Sequence, residues 1–536
     1  MILIDQRTKK IMEECKARAR DAGLRFDDES LEYIVTNQDM LELSPKVMIP
    51  TLYDYWVHDV EVLKEYGKYK LYPSNPYETV INSRPAISYY NDNNPDWMNI
   101  MIFYHVIGHI DFFQNNVLFE HTWNDDFVGQ ALADKRLINQ YRSQYGRWVD
   151  YAIEFSRSID NITGYFNLIA RNNFPNEKEP QEKIKYYFDH FLQEEKRVPH
   201  HHVFKEIAEY NELISKNPAG NSVFFSEVKR KFPEFQSKFE KYLEKEKVVK
   251  HTDLLEFIRD NSPFLDKEEN GWMKQIMTII RNTSLYFAPQ IRTKTINEGW
   301  ASYWHDKLFK MDERIKGHEV VYAKLNAGVT SISRVGLNPY AIGLRLIEHV
   351  EELANKGKIN YEFQKIKDIE RREDYDTKAM KGNEAIFKLR SDFSDFMLFN
   401  TFVDQDFIDE HDLFVAGKRY NQQRNTWQYY VQSRKAEDYQ KMLMDSLYHP
   451  PSINVDLQKT NDDLLYLRHE FEGKQLIKPF IPETLIGVEY LWGGEVNLET
   501  TEIVKKSNQQ PNEKPEYFRR KVLYIIKNRK ISKKNL

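Results

Sequence analysis

Cysteine is almost absent from this chain. Cys15 stands alone in 536 residues, which excludes an internal disulfide framework and any zinc or redox site built on Cys-x-x-Cys. Long apolar runs are missing too. No stretch approaches a membrane span, and the opening Met1-Ile-Leu-Ile-Asp-Gln-Arg7 has no apolar signal core after a basic start. A cytoplasmic protein in a reducing compartment is expected. Neither sign of charge dominates: 77 Lys and Arg against 82 Asp and Glu leave a net −5. The chain as a whole is not built to hold a polyanion, and no nucleic-acid partner is expected. Only Arg519–Lys534 is locally basic, and it reads first as a solvated end. A Gly-x-x-x-x-Gly-Lys phosphate loop, a Gly-x-Gly-x-x-Gly turn and a Gly-x-Ser-x-Gly elbow are all absent, which removes the common nucleotide-binding and serine-hydrolase classes. No histidine has Glu three residues before it, so the sequence gives a di-iron carboxylate bundle no support.

Aromatic residues are plentiful. At 14% of the chain they must carry much of the burial, in a sequence too long for one ordinary core. Helical spacing prevails, so the expected class is mainly α. Residues 7–43 read as two helices divided at Gly23, followed by a Tyr- and Pro-rich loop to Pro76. Glu78-Thr-Val-Ile-Asn82 reads as a short strand closed by Pro85. Asn94-Pro95 and Asn338-Pro339 are helix starts, a capping side chain followed by proline at the first helical position. Further helical patterns run through Asp125–Asn172, Trp272–Tyr286 and Ile291–Lys310. After Asp412, alternating runs at Thr426–Gln432, Leu464–Arg468 and Val488–Leu491 point to strands. The expected organisation is a main domain over 1–411 containing a helical insertion at 172–262, then a small α+β domain over 412–536 ending in the basic tail.

Two segments carry chemistry. His105 and His109 lie four apart on the helix opened at Asn94-Pro95, so both imidazoles leave one face about 6 Å apart, near enough to share an ion. Glu298 begins a run containing Trp300, Tyr303 and Trp304, where an unpaired carboxylate is costly and calls for a cation. Two histidines from one helix and one Glu from another form a known catalytic zinc set, so His105, His109 and Glu298 are candidate ligands for zinc or another divalent metal. His305, seven residues after Glu298, lies about 10 Å along the helix and suits a substrate-facing or supporting role. Asp111 is a candidate to orient a histidine through its second ring nitrogen; Tyr340 or His318 is placed to stabilise developing negative charge. The bland alternative is two core histidines satisfied by ordinary partners, with Asp111 and Tyr340 in capping and packing.

The combination Glu78-Thr-Val-Ile-Asn82, His105-x3-His109-x-Asp111-Phe-Phe-x-Asn115-Asn116, Glu298-Gly-Trp-Ala and Gly336-Leu-Asn-Pro-Tyr340-Ala-Ile-Gly343 resembles the SpoVR family, the stage V sporulation protein R group. Leu491-Trp-Gly-Gly-Glu-Val-Asn-Leu498-Glu-Thr500 resembles its C-terminal segment. The resemblance implies a cytoplasmic protein of spore cortex formation or stress response. It also implies a PrkA-type serine protein kinase and a von Willebrand-domain protein as pathway partners. The run Tyr55-Trp-Val-His-Asp59 departs from the family pattern. A second likeness is to zincin metallohydrolases, which carry His-Glu-x-x-His on one helix and, in several groups, Glu-Gly-x-Ala on another. A zincin-like helical main domain follows from it. Val106 stands where those enzymes place their general base, so that role falls to Asp111, Glu78 or His305, or the metal serves structure or binding. Two readings therefore stand: a metal-dependent hydrolase-like enzyme acting on an amide or peptide bond, and a non-catalytic partner in the kinase pathway.

Overall fold

A computed structural model describes residues 2–37, 78–122, 127–160, 186–196, 220–248, 253–333, 336–359, 368–378, 380–422, 424–447, 451–471, 475–505 and 517–536, with isolated positions between them. The run Tyr55–Asp59 and the loop leading to Pro76 lie outside the described residues. The chain is mainly helical with a β-rich C-terminal region. It divides into two compact units. The first comprises Met1–Ile153 and Asn282–His449, the second Glu154–Arg281 and Pro450–Leu536. Residues 412–449, grouped by sequence with the C-terminal part, fall in the first unit.

The first unit opens with β1 (Ile2–Leu3), α1 (Gln6–Asp21), β2 (Ser30–Val35), β3 (Glu78–Ile81), β4 (Ala86–Asn91) and α2 (Asp96–Asn115). The second helix expected before Leu43 is not formed at 30–35. Gly23, at φ +105°, ends the first helix turn, and Ser30-Leu-Glu-Tyr-Ile-Val35 becomes a strand. Its aromatic and β-branched residues suit the pleated surface, and β2 pairs in parallel with β4 from Ser30–Ala86 to Val35–Asn91. The sheet order is β1-β2-β4-β3, so β3 forms an edge, antiparallel to β4, and carries Glu78 at its first position.

Every residue of α2 from Ile100 to Phe113 is buried, which makes it a core helix without a polar face. Its start differs from expectation: Pro95 is the capping residue and no side chain caps the helix, whereas Asn338 accepts from the Tyr340 amide at 3.1 Å. Farther along the unit, beyond a helix at Phe127–Tyr145, lie α3 (Lys294–Lys310), α4 (Glu319–Val329), α5 (Pro339–Asn355) and α6 (Gly382–Asp392). Small residues set how closely three of these approach. A methyl added at Gly108 of α2 would lie 2.8 Å from the Ala301 Cα of α3. One added at Gly299 would lie 2.3 Å from the Gly343 carbonyl carbon of α5, and one at Gly343 would lie 2.0 Å from the Thr295 carbonyl oxygen. The unit ends with an antiparallel hairpin, β5 (Val415–Asn421) and β6 (Thr426–Ser433), and a helix at Ala436–Ser446.

The second unit holds helices at Gly220–Lys231, Phe235–Val248 and Leu254–Asn261 among its described residues. Its sheet runs β11-β10-β9-β8-β7, with β7 at Ile453–Val455, β8 at Leu464–His469, β9 at Glu495–Lys505, β10 at Tyr517–Lys527 and β11 at Lys530–Asn535. One expectation changes here. Val488–Leu491 is not a strand but part of a helix, Ile481–Trp492, with proline in its first turn and Gly493 at φ +82° after its last residue. Its Leu485, Val488, Leu491 and Trp492 are buried at helical spacing. The basic tail, expected as a solvated end, forms the hairpin β10–β11, with every residue of β11 exposed. No helix among the described residues is long and apolar enough to cross a membrane.

Candidate functional site

The close approach of α2 and α3 at Gly108–Ala301 brings the two sequence-identified segments face to face. His105 Nε2 and His109 Nε2 are 3.1 Å apart. Glu298 Oε2 lies 3.9 Å from the first and 3.6 Å from the second. One ligand atom from each of the three residues falls within 4.8 Å of the others. Tetrahedral coordination at zinc–ligand distances near 2.1 Å separates ligand atoms by about 3.4 Å, so the spacing suits one ion. Glu298 Oε2 is buried without a hydrogen-bond partner.

The proton positions follow from the far end of a hydrogen-bond chain. Asp306 accepts from the Tyr322 hydroxyl (2.6 Å) and the Lys310 ammonium (2.7 Å). It also accepts from Asn326 Nδ2 at 3.2 Å, which turns Asn326 Oδ1 toward His305 Nε2 at 3.1 Å. An amide oxygen only accepts, so His305 carries its hydrogen on Nε2 and presents a lone pair at Nδ1. His105 Nδ1, 2.9 Å away, must then be the donor. On the other side His109 Nδ1 donates to Asn297 Oδ1 at 3.0 Å. Both Nε2 atoms are thereby left with bare lone pairs aimed at each other and at Glu298. Such an arrangement is repulsive until a cation enters it.

Charge is unfavourable at His105, His305, Glu78 and Glu298. Burial, then the neighbouring His109 and His305, holds the His105 imidazole well below the ordinary histidine range. Burial pushes His305 down to about 4, against the opposing hydrogen bond to Asn326. Burial and the adjacent Glu298 push Glu78 up to about 8. Burial also raises Glu298, opposed by His109 and by a hydrogen bond with Tyr340. Two carboxylates and two neutral imidazoles would together match the charge of a divalent ion.

His105, His109, Glu298, His305 and Tyr340 are thus brought together, although His305 meets His105 itself. Glu78, at the β3 edge, places Oε1 3.8 Å from His105 Nε2. Asp111 is placed elsewhere: it accepts from the Arg25 amide (2.7 Å) and the Trp300 indole (2.9 Å) and faces Arg390 at 3.6 Å. These are packing partners, and the histidines are oriented by His305 and Asn297 in its stead. His318 stacks on Trp97 with ring centroids 5.5 Å apart. Sequence reasoning missed Asn297, Asn326 and Asp395. Asn297 adjoins Glu298 and could have been found by its place on the same helix. Asp395 accepts from the Thr295 and Ile296 amides, each at 2.8 Å, and so satisfies the first turn of α3 from outside it. Nothing local in the sequence marks Asn326.

Comparison with known proteins bears on the same residues. A family model described as SpoVR like protein matches residues 5–449, a span that contains the whole cluster. The chain is 25% identical over 494 residues to the uncharacterized protein YcgB of Escherichia coli (strain K12), covering 87% of this chain and 86% of that protein. No solved structure matches.

Proposed function

The chain belongs to the SpoVR-like family, and from that premise we propose that its buried His105–His109–Glu298 cluster is a divalent-metal centre, zinc first, in a hydrolase-like enzyme acting on an amide or peptide bond. The observation that carries this reading is the convergence of two unprotonated Nε2 atoms and an unpartnered Glu298 Oε2. A divalent ion held there would polarise a carbonyl and lower the pKa of bound water. The chain's own residues supply the rest. Asn297 and His305 hold the two imidazoles in the tautomer that offers Nε2. Tyr340 donates its one hydroxyl hydrogen to Glu298, and with Glu298 engaged by a metal that hydrogen would be free to turn to an oxygen as it gains charge. Among the described residues Glu78 is the carboxylate outside the ligand set that comes within 4 Å of His105 Nε2, and it is our choice for the proton acceptor that Val106 cannot be. The cellular role implied by the resemblance, in spore cortex formation or stress response beside a PrkA-type kinase and a von Willebrand-domain protein in the cytoplasm, belongs to the same proposal.

Metal analysis of the purified protein tests the centre: about one divalent ion per chain is expected, with loss in His105→Ala and Glu298→Ala. Full metal content in both variants would remove these residues as ligands. A screen against peptides and peptidoglycan fragments then tests the chemistry, with Glu78→Gln expected to keep metal and lose turnover. Val106 is wholly buried in α2, which favours a second reading, a metal-bearing but non-catalytic partner in the kinase pathway. Bound metal, no turnover on any substrate and co-purification with the kinase would decide for it.

A further inference from the structure

The β5–β6 hairpin is locally basic, as the β10–β11 hairpin also is. Between Leu413 and Ala436 the chain has five Lys or Arg residues and no Asp or Glu, in a protein whose acids outnumber its bases. Arg434 is paired with Asp412. Among the described residues, no carboxylate stands within ion-pair distance of Lys418, Arg419 or Arg424, so three cations project uncompensated.

Aromatic rings lie among them. Cross-strand pairing sets Tyr420 opposite Trp427 and Lys418 opposite Tyr429, so these four share one face of the ribbon. Trp427 is 57% exposed, Tyr429 54% and Tyr420 46%. The Lys418 ammonium sits 4.5 Å from the Trp427 ring centre. On the opposite face Tyr430 lies across Gly417, where a methyl would come within 2.3 Å of the ring, and Arg419 stands 5.7 Å from it. Both faces therefore combine an exposed ring with a cation.

We propose that this hairpin binds single-stranded nucleic acid, its rings stacking on bases and Lys418, Arg419 and Arg424 meeting phosphates. Aromatic platforms beside backbone-tracking cations are the recurring means of holding single strands without sequence preference. The overall negative charge argues against polyanion binding only as an average; the relevant field is that of the exposed ribbon. An anionic membrane would meet the same cations, but an inserting hairpin needs an apolar tip. In sequence, the residues that link its two strands, Gln422, Gln423, Arg424 and Asn425, carry only amides and a guanidinium.

Fluorescence anisotropy of the full chain with labelled oligothymidylate and oligouridylate tests the proposal. Three phosphate contacts predict log affinity falling with log salt at a slope of about −2. Trp427→Ala/Tyr429→Ala should weaken binding roughly tenfold or more, and Lys418→Glu/Arg419→Glu should weaken it and flatten the salt slope. The oligouridylate arm separates RNA from DNA as the favoured strand. Unchanged binding by both double variants, or no binding at low salt, overturns the proposal. So does binding to phosphatidylserine vesicles without binding to either oligonucleotide. All four residues are exposed, and an unchanged melting curve for each variant confirms that binding is what has been altered.

Discussion

Asn326 touches none of the three proposed ligands, yet replacing it should weaken metal binding. Its amide is oriented by the doubly anchored Asp306 and accepts the only ring hydrogen of His305. With Asn326→Leu that acceptor is gone, and His305 is free to move its hydrogen to Nδ1, 2.9 Å from His105 Nδ1. His105 would then accept there and carry its own hydrogen on Nε2, pointing at His109 Nε2 3.1 Å away. The site would close on itself as an imidazole–imidazole hydrogen bond, and an ion would have to reverse two tautomers to enter. Loss of an outer-shell partner of this kind lowers metal affinity about 10–100-fold, or about 1.4–2.7 kcal/mol. Competition between the protein and a chromophoric chelator for zinc measures it directly. Asn326→Asp keeps an acceptor toward His305 and should stay nearer the parent than Asn326→Leu. Equal affinity of Asn326→Leu and the parent, or equal losses in both variants, would refute the tautomer argument while leaving the ligand set itself standing.

Gly343→Ala forces a methyl to within 2.0 Å of the Thr295 carbonyl oxygen. It should cost about 1–3 kcal/mol in urea unfolding and lower metal content by moving α3. Asp111→Asn weakens the contacts to Trp300 and Arg390, so about 1–3 kcal/mol of stability should be lost with metal content unchanged. A fall in metal content at unchanged stability would return Asp111 to the site. Asp312 is buried between Arg18 (2.5 Å), Arg314 (2.7 Å) and the Tyr104 hydroxyl (2.7 Å). Burial raises its pKa, but the Arg314 and Tyr104 hydrogen bonds prevail and hold the carboxyl well below its ordinary 3.8. A depressed folded-state value means stability present at neutral pH and lost as pH falls below about 4 toward that value. Asp312→Asn should therefore cost about 3 kcal/mol at pH 7 and flatten the acid limb of the stability profile. A parallel acid limb in the variant would assign the acid loss to other groups.

Local pattern was readable where one segment's chemistry settles its own conformation. Asn338-Pro339 gave a capped helix, and Glu78–Ile81, Thr426–Ser433 and Leu464–His469 gave strands, because cap, proline and alternation act within a few residues. Ser30–Val35 misled because its neighbours suggested a helix, while a parallel pairing with residues 86–91, more than fifty positions away, gave it a strand. Val488–Leu491 misled in the opposite sense. Four residues cannot tell alternation from helical spacing until Pro482 and Gly493 are recognised as the ends of one helix.

The residue types of the proposed centre and the spacing of its histidines were determined by sequence alone, since four residues on a helix put two imidazoles on one face whatever surrounds them. Where Glu298 would lie was decided by tertiary packing, through the small residues at 108, 299, 301 and 343 that let three helix backbones nearly touch. Tertiary structure also recruited Asn326 to hold His305, and took Asp111 out of the cluster to meet Trp300. Hydrogen-bond direction depends on which groups meet in space, and that is why the protonation of the site could not be read along the chain.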